Sequence, residues 1–585
     1  MTTFKISRKI TADVLVVGGG GAAARAALTA AENGANVRIA IKSKWLHSGS
    51  TATAFSELLA IAAAIGHGDE RDKPEIHYED TMEAGRCFID PRLVWVLASE
   101  APDRIQDLID LGLNFDKQKN GKLVQGMSDF ATYPRTCRVN GVTARHILNT
   151  LANELKKSNV PVDEHIMVFR LLTDENDRII GALAHDGQNE EMVLYETGSV
   201  ILACGGAHYL YRYGVGTPDM TGDGYAMAYE MGIPLVNMEF VQIGPAVIDP
   251  LVTLLSGPVW KTNPILVNDA GERFLEKNLP DHITVENVYA AKAFPFTVSN
   301  PSFYLDTSIQ QEFEKHPAEK GYVWGDLTVC LEEILEGKIP KTKRVLKSKG
   351  IDITRERFKI GLVAQCMNGG AQILNPNGET SIPGLFIAGE TAGGVRGPDR
   401  PGGNSLAEGQ VFGYRTGKAA AGWSKGWKAN AAEIEKQANI ELEKLNSWIT
   451  ASEKGNLQID DAVRDLKKKM HQNCLVIRSE ERLADMWAFL KNMESNLREG
   501  NYLIEAKNIR KAVELRHMVI TSKAITLAAR ERRESRSCHY REDYPNKDDA
   551  NWKKSIRILC RDGEMAVERY TWPTDIREER NESFV

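Results

Sequence analysis

Apolar residues recur along this chain in two rhythms. Short, nearly unbroken apolar runs at 13–17 (DVLVV), 37–41 (VRIAI), 200–207 (VILACGGA) and 384–388 (GLFIA) read as buried strands. The first and last lead through glycine-rich loops into helical spacing at 24–33 and 406–419. Strand, loop and helix in that order, twice in one chain, predict an α/β fold with a Rossmann-type core. Residues 1–10 are a polar lead-in with a short strand at most. Amphipathic spacing predicts helices at 55–64, 76–85, 91–113 and 142–157, and a β excursion with turns at 117–133. Strands of a β-meander are expected at 160–169, 171–174, 179–186 and 192–195. Residues 427–545 are rich in Glu, Lys, Leu and Ala with helical spacing, as at 432–448 and 479–498, and two strands follow at 555–560 and 565–570.

The glycine loops carry the first chemical signal. Gly18-Gly19-Gly20-Gly21-Ala22-Ala23 is a dinucleotide fingerprint with alanine at its third small position. Gly18 makes the tight turn, Gly20 lets the backbone approach a pyrophosphate, and Ala23 lets the helix pack closely on the strand. The acid expected to hold a ribose after the second strand is missing, and Lys42 stands there. In the second loop Asn404 or Ser405 is the expected N-cap. The helix N-terminus behind it carries partial positive charge and free N–H groups. That suits the pyrimidine end of a flavin, where negative charge collects on reduction.

Composition narrows the class. A chain of 585 residues holds several domains. Its 73 basic and 79 acidic residues leave a net charge of −6 and no basic block, which argues against nucleic acid. None of the eight cysteines forms a CxxC pair, so neither an iron–sulfur cluster nor a zinc site is expected within the chain. Free thiols and no secretory signal point to the cytoplasm. The longest apolar run, near 58–65, falls far short of the ~18–20 residues that span a bilayer.

Together the two loops, VILACGGA, TGDG at 221–224, MEFVQ at 238–242, ILVNDAGERF at 265–274 and RESRSCHYREDYP at 533–545 resemble the FAD flavoprotein family of succinate dehydrogenase, fumarate reductase, L-aspartate oxidase and adenylylsulfate reductase. The resemblance implies an FAD-binding domain in two parts, 1–239 and 356–426. An α+β capping domain at 240–355 interrupts it. A C-terminal helical bundle at 427–545 and a tail with short strands at 546–585 follow. Cofactor contacts are expected from Gly18, Gly20, Gly21, Ala22 and Ala23, and from Lys42, Ser43, Lys44, Ser50, Thr51 and Thr53. They are also expected from Ala203, Gly205, Asp223, Gly389, Glu390, Arg400, Gly403, Asn404, Ser405 and Leu406. Where some relatives carry a histidine joined covalently to the flavin, this chain has Ser50, so the FAD is expected to be non-covalent. His47 is the rival attachment point.

The substrate site departs from the family. Relatives acting on C4 dicarboxylates have His-Pro-Thr where this chain has Gly244-Pro245-Ala246, and a histidine where it has Gln365. They also have a proton-donating arginine in the stretch here read as DHITVENVYAAK, 281–292, which contains none. Arg400 is retained and is expected to hold a substrate anion. Arg396, Trp260, Gln365 and Lys261 are further candidates for the substrate, and Lys261 and His208 for proton transfer. The expectation is therefore the catalytic flavoprotein subunit of a soluble oxidoreductase acting on a small anion other than fumarate or succinate. Its electrons would pass to or from a ferredoxin-like iron–sulfur partner, docked on the C-terminal arginines and on Trp552, Tyr570 and Trp572. The alternatives are activity on a C4 dicarboxylate, or an FAD electron-transfer subunit without a substrate. A further alternative is an NADP site using Lys42 and Lys44.

Overall fold

The computed structural model describes residues 3–315, 321–573 and 576. Its centre is a five-stranded parallel sheet in the order Leu385–Ile387, Val200–Leu202, Val14–Val17, Val37–Ile41, Val162–Glu164. Val14–Val17 is covered on both faces, as its unbroken apolar run requires. The helix Gly21–Glu32 follows the first strand, and Asn404–Trp423 packs along it. Gly409, Gly413 and Gly417 form the contact stripe. A Cβ on Gly413 would stand 2.8 Å from the carbonyl oxygen of Ala22, and one on Gly417 2.3 Å from that of Ala26. The two helices that point at the same ligand site are thus locked together by residues without side chains.

The predicted meander forms a second sheet, where Ile166–Thr173, Ile179–Asp186 and Glu191–Glu196 run antiparallel. The lead-in strand Ile6–Thr11 adds in parallel to its edge. The apolar stretch at 160–174 is divided differently from the expected spacing: Val162–Glu164 joins the main sheet, and Ile166–Thr173 is one continuous strand. The capping region enters through Val241–Val247 and leaves through Phe358–Met367, which pair antiparallel. Helices Ala431–Ser452, Ile459–Asn473, Glu480–Arg498 and Ile509–Glu531 make the C-terminal bundle.

Two expectations are corrected. Residues 55–64 are not a helix. They pass through turns into the short strand Ile61–Ala62, and Ala62 N–H donates to the Gly403 carbonyl. This apolar run is buried in extended form against the second glycine loop, so its composition could not separate strand from helix. The tail tryptophans are not exposed aromatic surface either. Ser555–Arg561 and Glu564–Tyr570 form a hairpin that completes a sheet with Leu235–Val236, Gly370–Gln372 and Ala392–Gly393. Trp552 and Trp572 are buried, and Trp572 Nε1 donates to Ser555 Oγ at 2.8 Å. Three of the arginines there pair internally as well. Arg532 pairs with Glu239 and Glu534, Arg536 with Glu534, and Arg541 with Asp543. Of residues 574–585, only 576 lies among the described residues.

Candidate active site

One cavity opens at the carboxyl ends of the central strands, the usual ligand position of an open α/β sheet. Gly18, Gly20, Gly21 and Ala22 line one wall, and Gly389, Glu390, Gly403, Ser405 and Leu406 another. Both helices facing it begin on glycine, Gly20 and Gly403, and neither has a side-chain cap. Gly21 N–H is satisfied by Thr51 Oγ1 at 3.2 Å. Asn404 N–H donates to Pro401 O at 3.3 Å, and the remaining first-turn N–H groups are left for a ligand. Ala203, Gly205, Ser50 and Thr51 complete this part of the lining. Two uncapped helix N-termini converging over glycine fit a dinucleotide cofactor with an anionic pyrophosphate.

Several expected contacts lie elsewhere. The N-cap is Gly403, at φ 87°, rather than Asn404 or Ser405. Asn404 turns away from the cavity and bonds His77 Nε2 at 2.8 Å and Thr81 Oγ1 at 3.0 Å. Ala23 is buried under the turn, not in its lining. Ser43 and Lys44 stand off the cavity, as does Thr53, whose hydroxyl donates to Gly49 O. Lys42 does line it, but its Nζ is held by Thr221 Oγ1 and Asp223 at 2.6 Å and by Glu514 at 3.3 Å. A lysine shared by two carboxylates is not a free partner for a 2′-phosphate. Asp223 also pairs with His517 of the long C-terminal helix at 2.9 Å. Burial raises the pKa of Asp223, but Lys42 and His517 outweigh that and hold it well below the usual carboxylate range.

A buried charge network underlies the second glycine loop. Glu390 accepts from His208 Nε2 at 2.9 Å and from Met367 N–H at 2.8 Å. Burial opposes its ionisation, yet His208, Arg396 and the Met367 N–H hold it down to about 2. His208 is held above the usual imidazole range, because the Glu390 carboxylate outweighs its own burial. Its ring does not line the cavity, so His208 is a support for Glu390 rather than a group that touches substrate. Arg396 donates to the carbonyls of Glu390 and Ala392 and pairs with Glu408 at 3.3 Å. Burial pushes Glu408 up to about 7 despite that pairing.

The far end of the cavity is lined by Arg400, Gln365, Asp129, Ser256, Leu254 and Phe294. Arg400 is oriented by Gln242 Oε1, 3.1 Å from its Nε, and by its own neighbour's carbonyl, Pro401 O, at 3.0 Å. Gln365 presents a buried Oε1 with no partner. Trp260 is not here. It is fully buried, donates to Leu255 O at 3.0 Å and packs against Tyr289. Lys261 is exposed and outside the lining. The space above Gly244 is filled by the Phe294 ring, 2.2 Å from where a Cβ would stand. A side chain at 244 is therefore excluded by a fitted neighbour. Sequence reasoning missed Asp129, Phe294 and Glu408. Asp129 lies in a stretch without periodicity, and no local pattern marks it.

The FAD binding domain family matches residues 13–406, and the fumarate reductase flavoprotein C-terminal family matches 463–578. A polypeptide of the CoM/CoB fumarate reductase of Methanothermobacter marburgensis is 31% identical over 556 residues, spanning 93% of this chain and 96% of that one. The structure of Mycobacterium smegmatis Sdh1 in complex with UQ1 superposes with a TM-score of 0.83 at 26% identity, covering 97% of this chain and 95% of that one. Adenylylsulfate reductase of Archaeoglobus fulgidus shares the fold, with a TM-score of 0.72 at 18% identity over 98% of this chain and 99% of that one. The chain belongs to the FAD-binding flavoprotein family of fumarate reductases, succinate dehydrogenases and L-aspartate oxidases. It is a catalytic flavoprotein, an FAD-dependent oxidoreductase built on the FAD-binding, capping and C-terminal helical domains of that family. Among the described residues no helix is long and apolar enough to cross a membrane.

Proposed function

We propose that this chain exchanges two electrons between FAD and a small carboxylate anchored on Arg400, in the manner of a fumarate reductase. The observation that carries this is Arg400 itself, whose guanidinium is oriented at the far end of the cofactor cavity by Gln242 and Pro401 O. The named activity of the M. marburgensis relative favours a C4 dicarboxylate as substrate. Bound flavin would supply the redox chemistry. The protein's part is to hold the anion, shape the apolar wall of Leu254 and Phe294, and exclude water.

Phe294 favours a second reading. It occupies the place above Gly244, and the wall it forms with Leu254, Val215 and Ala246 is apolar. A second carboxylate finds no cationic partner there, whereas a monocarboxylate with an apolar body packs against it. One experiment separates the two. The anaerobically photoreduced enzyme is mixed with fumarate and, separately, with crotonate and cinnamate. Reoxidation by fumarate near an ordinary turnover of about 10 per second supports the dicarboxylate reading. Reoxidation by a monocarboxylic enoate alone supports the second. Reoxidation by neither overturns both.

The attachment of the cofactor is a separate prediction. The resemblance puts Ser50 at the linking position, and its hydroxyl donates to Val215 O at 3.2 Å. A serine cannot form the histidyl–flavin bond, so acid precipitation is expected to leave a colourless pellet and a yellow supernatant. A yellow, fluorescent pellet would transfer attention to His47. The M. marburgensis relative is one subunit of its enzyme. An iron–sulfur protein is the partner this reading calls for, seated on a surface other than the tail tryptophans.

A further inference from the structure

The stretch 281–292, where the resemblance implies a proton-donating arginine, contains none, which leaves the proton transfer without an assigned group. Five carboxylates line the cavity: Asp129, Asp219, Asp223, Glu390 and Glu408. Four of them have partners. Asp219 accepts from Thr217, Asp223 from Lys42 and His517, and Glu390 from His208, while Glu408 pairs with Arg396. The Asp129 carboxyl group accepts no hydrogen bond from any described side chain or backbone group. Its main chain is pinned, however. Its carbonyl accepts from Gly402 N–H at 3.2 Å, two residues beyond Arg400, and the next residue, Phe130, sits at φ 63°. The loop thus places an unpartnered carboxyl group beside the anion anchor, at the substrate end.

We infer that Asp129 delivers the proton to the substrate carbon next to the one that exchanges hydride. This rests on the reading of the preceding subsection. In the reducing direction the C=C π bond is replaced by two C–H bonds. One hydrogen arrives as hydride from reduced flavin, which is oxidised by two electrons, and the other as the proton of the Asp129 carboxyl. Asp129 is left as a carboxylate and regains a proton from water. Oxidation runs the same steps backwards, with Asp129 as the base.

The electrostatics suit the task. Burial pushes Asp129 up to about 6, against the opposing pull of Arg400, Lys292 and Lys261. Lys292 is itself neutralised by Asp306 at 2.6 Å, and Lys261 is exposed, so Arg400 is the close charge that matters. A general acid works best with its pKa near the operating pH. The acid form is required for reduction, so the rate should be full below about pH 6 and fall tenfold per unit above it. Glu408, raised to about 7 by burial, lies in the same cavity, so assignment of the limb near 6 requires the Asp129 variants.

The test compares the wild type with Asp129→Asn and Asp129→Glu, using fumarate, crotonate and cinnamate as oxidants. Asparagine is expected to lower kcat about 10²–10⁴-fold with KM changed far less, and to remove the pH limb near 6. Glutamate is expected to restore part of kcat together with a pH limb. FAD content should not change in either variant. Burial also raises Asp72 and Asp399 to about 6, so the infrared spectrum of the wild type minus that of Asp129→Asn is what should isolate one protonated carboxyl band lost near pH 6. An Asp129→Asn variant with wild-type kcat and pH profile overturns the inference while leaving the proposed function standing. So does a wild type without the titrating band. If none of the three oxidants reoxidises the wild type, the proposed function fails and the inference falls with it.

Discussion

Arg400→Lys should lower kcat/KM by about 10²–10³-fold, equivalent to about 2.7–4 kcal/mol of transition-state stabilisation. The side chain is nearly buried, and two of its donors are already used by Gln242 Oε1 and Pro401 O. Those bonds fix the guanidinium plane so that its remaining N–H groups face the cavity. Lysine keeps the charge, but its three donors sit on one nitrogen at the end of a flexible stem and lack the planar fork. One ammonium nitrogen cannot reach acceptors that Arg400 serves from separate nitrogens, Gln242 Oε1 from Nε and Pro401 O from Nη1, and a carboxylate as well. Gln242 and the carbonyl would then lose partners in a dry site, which adds to the cost. Arg400→Ala should be worse still. FAD content should remain at wild-type level in both, because the Gly18–Ala22 turn and the free helix N-termini that hold the cofactor are unchanged. Steady-state kinetics with the oxidants that reoxidise the wild type check this, and unchanged turnover in the lysine variant would remove Arg400 from the substrate site.

Gly18→Ala is the second large effect, and it acts on the fold and the cofactor together. Gly18 has φ 122°, a conformation that L side chains rarely adopt, and a Cβ there would stand 2.2 Å from the carbonyl oxygen of Ala203. That carbonyl belongs to the end of the neighbouring strand and cannot swing aside as a side chain could. Backbone strain and overpacking together should cost about 2–6 kcal/mol. A domain's entire stability is about 5–15 kcal/mol. Gly34→Ala is the control: it also has positive φ, at 87°, but nothing lies within 4 Å. It should cost only the left-handed strain of about 1–2 kcal/mol and leave flavin content intact. Urea unfolding and the flavin-to-protein absorbance ratio distinguish the two. Equal behaviour of both variants would mean that the Ala203 contact does not constrain the turn.

The cofactor half of the molecule was legible in the sequence because its constraints are local. A strand, a glycine turn and a helix N-terminus are all encoded within a short window, and both windows carried them. The substrate half depends on long-range placement. Trp260 reads as a stacking platform from its chemistry, yet its position under Tyr289 is set by the capping sheet, and it is core. His208 reads as an acid–base candidate, yet the fold spends it on Glu390. Asp129 has no pattern of its own and acquires meaning only through the contact with Gly402. Gly244 was legible as a loss, whereas Phe294, which fills the space, lies fifty residues later in a stretch with no recognisable motif.

The order of strands in the central sheet also governs how the protein comes into being. Val14–Val17 sits between Val37–Ile41 and Val200–Leu202, and the latter pairs onward with Leu385–Ile387. On a ribosome adding about 5–20 residues per second, the last of these strands emerges roughly 20–75 s after the first. Throughout that interval a hydrophobic strand edge is without its neighbour, and such an edge is a template for pairing with another chain. The cofactor cannot rescue the nascent sheet during this time, because one wall of its cradle belongs to the helix that begins at Asn404. Shielding of the half-built sheet during synthesis is therefore a requirement separate from the stability of the finished fold.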